Sequence, residues 1–142
     1  MKKIVFIFIC FFNFGCSVYK SPFVEKIEYS ELYEEEERYV KFFLEKEYYK
    51  IKLPLEYEVK NFEIISISRN NNNLFVNTRN GGGKYFYESF YTFRKDNKKY
   101  FLVDVACSTY IHDIDSSYSY KYALKDTVTL ERINFAEYIC DR

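Results

Sequence analysis

The sequence predicts an α+β fold: one long N-terminal helix packed on an antiparallel sheet of about five to seven strands. Three observations carry this. Residues 31–49 repeat apolar side chains at three- and four-residue spacing, the period of a helix face. From residue 57 onward, short runs of β-branched and aromatic residues alternate with breaks rich in Asn, Gly and Asp, the pattern of strands and turns. The two patterns are segregated along the chain and the breaks are short, which points to antiparallel neighbours rather than βαβ units.

The chain has 142 residues, the length of one domain. Lys plus Arg and Asp plus Glu both number 21, so the formal charge is zero. A nucleic-acid binder working by bulk electrostatics needs a basic excess, so that class is excluded as an expectation. Aromatics make up 22%, with 16 Tyr, 15 Phe and no Trp, which is ample material for a core. One His and no recognisable catalytic motif leave little chemistry to read.

The elements follow in order. Lys2 and Lys3 form a positive start, residues 4–12 are unbroken apolar, and Asn13, Gly15 and Ser17 follow. That is the three-part layout of a secretory signal, with an apolar run too short to span a membrane. Ser30 reads as a helix N-cap, and Glu31, Glu34 and Glu35 suit the positive end of the helix dipole. The helix then runs over residues 31–49 on Leu32, Tyr33, Tyr39, Val40 and Phe43, and Pro54 bars its continuation. The run from Glu34 to Glu37 reads as a solvated helix face. Strands are expected at residues 63–68, 74–78, 84–94 and 99–110, with a further hairpin over 118–132. Residues 135–139 fit either strand or helix. Polar or glycine-rich loops fall at 70–73, 79–83 and 95–98.

Gly15-Cys16 resembles the junction cut in bacterial lipoproteins, where a small residue precedes a Cys that becomes lipidated. The likeness covers about the first 16 residues. It departs from the family pattern at Asn13, where Leu, Val or Ile is usual. It implies a signal peptide over 1–15, a lipidated Cys16 and tether over 16–28, and a single α+β domain over 29–142. An acylated Cys would anchor the protein stably in a membrane. Ser17 after the Cys is similar to lipoproteins sorted to an outer membrane. The rival reading is ordinary cleavage after Ser17. Two cysteines then remain, Cys107 and Cys140. Export favours pairing them; two buried free thiols is the other reading. No metal site is expected, because two Cys and one His lack a ligand spacing. No cofactor is expected either.

Two places tempt a chemical reading. Gly81 to Gly83 fails as a phosphate loop, since Gly83-Lys84 is followed by Tyr85 and no helix follows. His112 with Asp113 and Asp115 could supply a general base or a calcium loop. No nucleophile is marked, and the loop lacks the Gly and closing Glu that calcium needs. The aromatic strand says more. One face of 84–94 carries Tyr85, Tyr87, Tyr91 and Phe93, and the other Phe86 and Phe90. Pairing Phe86 and Phe90 with the face of the next strand bearing Phe101, Val103, Val105 and Cys107 makes that side the core. The Tyr stripe is then the candidate binding surface.

The expected function is a non-enzymatic cell-envelope lipoprotein, on the outer membrane, that acts as a small binding module. Its expected partners are the membrane, through the lipid, and a protein. Two versions are an immunity-type protein held against a toxin and a ligand pocket similar to the NTF2-like fold. A hydrolase using His112 or carboxylates is the enzymatic alternative.

Overall fold

A computed structural model describes residues 24–112, 116–124 and 127–139. The long helix over 31–49 is absent, and no helix of seven residues or more exists among the described residues. The α+β expectation is therefore corrected to an all-β fold of two antiparallel sheets. The six-stranded sheet comprises β1 (Glu25–Ile27), β5 (Glu63–Asn70), β6 (Asn73–Gly82), β7 (Tyr85–Asp96), β8 (Lys99–Ile111) and β9 (Ser116–Lys121), in the order β1-β5-β6-β7-β8-β9. The three-stranded sheet is β2 (Tyr29–Glu34), β3 (Glu37–Leu44) and β4 (Glu47–Leu53). The segment expected as a tether contributes β1, and Ser30 lies in β2 rather than capping a helix. The hairpin expected over 118–132 is also corrected. Thr129 makes an isolated bridge to Phe101, and Leu130–Arg132 and Phe135–Glu137 are short 3-10 turns.

The reason the 31–49 helix fails lies in its turns and its second period. Val40, Phe42 and Leu44 on β3, and Tyr49, Ile51 and Leu53 on β4, are buried at every second position. The helical period required Glu36 and Glu47 on the apolar face; the strand period places no charge among these six residues. Two-residue turns join the strands at Glu35-Glu36 and Glu45-Lys46, all four with positive φ. That is the primed-turn geometry that matches strand twist. Neither turn has the Asn-Gly signature, so the hairpins were hidden. Charged residues there sit at φ 49°, 68°, 52° and 70°, a region that costs L-residues roughly 1 kcal/mol each. Replacing Glu35-Glu36 by Asn-Gly should therefore raise stability by about 0.5–2 kcal/mol in urea unfolding. A helix over 31–49 would instead lose about 1 kcal/mol from the Gly.

The two sheets bury one core. The chain passes from the large sheet to the small one at Glu28, between β1 and β2. Inner residues Ile67, Leu74, Val76, Tyr91, Phe93, Tyr100 and Val105 meet the six alternating residues of β3 and β4. Tyr49 meets Tyr100 edge-on at 6.0 Å. Polar ties also cross between the layers: the Tyr29 hydroxyl donates to the Ile64 carbonyl at 2.8 Å, and Arg38 to the Phe62 carbonyl at 2.7 Å. Glu45 pairs with Arg69 on β5 and Lys95 on β7, and the bonded Lys95 ammonium holds its carboxyl below the usual range. The two 3-10 turns add Leu130 and Phe135 to the core.

Candidate functional site

The faces of β7 are the reverse of the expectation. Tyr91 and Phe93 are fully buried, Tyr87 is half-buried, and only Tyr85 of the proposed four is exposed. Phe86 and Phe90, expected in the core, are 38% and 37% exposed. The cause is an irregularity in the β7–β8 register between Thr92 and Phe93. Thr92 pairs with Asp104 and Phe93 with Leu102, so Val103 has no partner. A bulge flips the alternation on its far side. Val105 and Cys107 face inward, opposite Tyr91 and Ser89, whereas Val103 is 38% exposed.

The outer face of the large sheet is built around Phe86, Phe90 and Tyr110. Phe86 on β7 lies opposite Tyr110 on β8 and Gly81 on β6. Gly81 has φ +94°, and a Cβ there would stand 2.7 Å from the Tyr85 carbonyl oxygen. Only glycine fits, and its missing side chain leaves the Phe86 ring uncovered. Phe90 lies between Asn77 and Ala106, both small enough to leave it open. Tyr110 is 48% exposed. Between the two phenylalanines runs a charge ladder across three strands. Arg79 donates to Glu88 Oε1 at 2.8 and 3.2 Å, and its Nη1 lies 3.9 Å from Glu63 Oε1. The hydrogen-bonded Glu88 carboxylate raises the Arg79 pKa further. Two shallow grooves, of about 380 and 530 Å³, flank this centre and share Arg79 and Phe86.

His112 lines the smaller groove beside Glu88, and its backbone N–H donates to the Lys84 carbonyl at 2.9 Å. Glu88 is engaged by Arg79, and Asp113 and Asp115 lie outside the described residues. Cys107 is 1% exposed, with Sγ 3.8 Å from Ser89 Oγ and 4.0 Å from the Tyr138 carbonyl oxygen. It is not a free thiol. Cys16 and Cys140 lie outside the described residues. Among the described residues, no group of three or more His, Cys, Asp or Glu could hold a metal ion. No helix among them is long and apolar enough to cross a membrane. The outer Phe pair was missed because its burial depends on the bulge. The glycine opposite Phe86 was the available signal. No family model, curated protein or solved structure matches the chain.

Proposed function

We propose that this chain is a non-enzymatic envelope lipoprotein, anchored through Cys16, that binds a protein partner with the outer face of its six-stranded sheet. The observation that supports the reading is the cluster of Phe86, Phe90 and Tyr110, each more than one-third exposed on adjacent strands. Exposed aromatic rings on either side of a paired charge ladder offer a partner both apolar anchors and polar contacts, the two ingredients of a binding hot spot. The two-sheet fold does not favour the NTF2-like version, which needs a helix to close its cone. A hydrolase would need an available carboxylate or nucleophile beside His112, and Glu88 is committed to Arg79.

The test places a photo-crosslinking residue at position 90 or 110 in living cells. A discrete protein adduct is expected at both positions. It should fall at least tenfold on Phe86→Ala, with the melting temperature little changed, since hot-spot truncations cost about 2 kcal/mol or more. No adduct, or equal adducts from every exposed position, would remove the binding face. The anchor is tested by intact mass from the membrane fraction: the expected species begins at Cys16 and carries acyl chains.

A further inference from the structure

The small sheet presents a second face, opposite the first. Its outward residues are Ser30, Leu32 and Glu34 on β2, Glu37, Tyr39, Lys41 and Phe43 on β3, and Tyr48, Lys50 and Lys52 on β4. Three lysines thus share this face with two glutamates, both at the end near the β2–β3 turn. Lys41 Nζ stands 4.6 Å over the Tyr48 ring and Lys50 Nζ 4.2 Å over the Tyr39 ring. The Phe43 and Tyr48 rings meet at a tilt with centroids 4.8 Å apart, and are 52% and 70% exposed. Lys41 has no carboxylate partner among the described residues. Lys50 and Lys52 pair with Glu34 and Glu37, but the pairs are solvent-exposed, and such pairs hold together only weakly.

We infer that this face lies against an anionic lipid surface. Its chemistry is that of an interfacial contact: ammonium groups for lipid phosphates, and amphipathic aromatic rings for the headgroup boundary. Chain length supports the same occupant. Cys16 is eight residues before Val24, the first described residue, a span of at most about 28 Å. A lipid on Cys16 would hold the domain that close to the bilayer, and β1 leads directly into the small sheet. At such a high local concentration a weak contact is enough to orient the domain. The aromatic face of the large sheet then points away from the membrane, toward partners. The orientation rests on the proposed Cys16 anchor; the affinity of the face for lipid does not.

The test separates the two. Every described element lies after residue 23 and the two sheets share one core, so a chain of residues 17–142 retains every described strand and omits the lipid. This chain is sedimented with vesicles of mixed phosphatidylglycerol and phosphatidylcholine, or of phosphatidylcholine alone. Binding to the anionic vesicles alone is expected, and it should fall with added salt. Each lysine contributes about fivefold. Lys41→Gln, Lys50→Gln and Lys52→Gln together should therefore weaken binding by roughly tenfold to a hundredfold, with an unchanged far-ultraviolet spectrum. Phe43→Ser with Tyr48→Ser should weaken it independently. Equal binding to both vesicle types, or unchanged binding in both variants, overturns the inference. Absence of vesicle binding, with a crosslinker at position 48 labelling a protein in cells, overturns it in favour of an acidic partner. Failure of the anchor alone would appear as a non-acylated mass, with vesicle binding by residues 17–142 intact.

Discussion

Tyr91→Ala should destabilise the protein by about 3–5 kcal/mol in denaturant unfolding, whereas Phe90→Ala, one residue earlier, should cost at most about 1 kcal/mol. Tyr91 is fully buried, its ring meets Phe135 edge-on at 4.9 Å, and its hydroxyl donates to the Tyr138 carbonyl at 3.3 Å. Truncation leaves a cavity between β7 and the C-terminal turns. Phe90 leaves an open patch facing water instead. Tyr91→Phe isolates the hydroxyl and should cost about 1 kcal/mol. It also has a pH signature. Burial pushes the Tyr91 phenol up to about 12, against about 10 for an unfolded tyrosine. The folded-state pKa is raised, so the associated stability is fully present below pH 10 and is lost as pH rises toward 12. The loss is roughly 3 kcal/mol for a shift of about two units. Tyr91→Phe should remove that part of the alkaline limb. Burial also pushes Tyr49 up to about 12, which leaves a second part in place. If Phe90→Ala proved the costlier substitution, the inner and outer faces of β7 would be interchanged.

That comparison also marks how far the residues alone could be read. The strands from residue 63 to 111 were legible because turn residues bracket alternating runs: Asn71 and Asn97 sit at positive φ where the Asn and KDNK breaks predicted turns. Gly83 does the same within the glycine run, although β6 extends through Gly81 to Gly82 rather than ending before it. The small sheet was not legible, because its turns are made by Glu and Lys. With no Gly, Asn or Pro between residues 31 and 53, aromatic and charged residues satisfy a 3.6-residue period about as well as a period of two. The core is what decides between them: six alternating side chains of β3 and β4 are needed to cover the large sheet. The faces of β7 and β8 were lost for a different reason. Alternation assumes an uninterrupted ladder, and one unpaired residue at Val103 inverts it. The candidate site inherited that error, so the aromatic strand was located correctly while the surface was assigned to its wrong side.

Reduction of the protein, or Cys107→Ala, should cost about 3–4 kcal/mol, because we pair Cys107 with Cys140. The geometry on one side favours that partner. Cys107 Sγ is 4.0 Å from the carbonyl oxygen of Tyr138, two residues before Cys140. The same Tyr138 carbonyl accepts from Tyr91, and the Ile139 carbonyl accepts from the Tyr122 hydroxyl at 2.5 Å, so the chain is held against β8 up to that point. A bridge would close a loop of roughly thirty residues, and the chain-entropy estimate for that size gives the stated loss. It would also fasten the segment that brings Leu130, Ile133 and Phe135 into the core. The effect should therefore exceed that of truncating a small buried side chain. Cys140→Ala should match Cys107→Ala and add nothing to it in the double variant, since both remove one bond. Two thiols should become alkylatable only after reduction. Additive losses in the double variant, or a melting temperature indifferent to reductant, would overturn the pairing of Cys107 with Cys140. The C-terminal turns would then be held by Phe135 and the tyrosine hydrogen bonds alone.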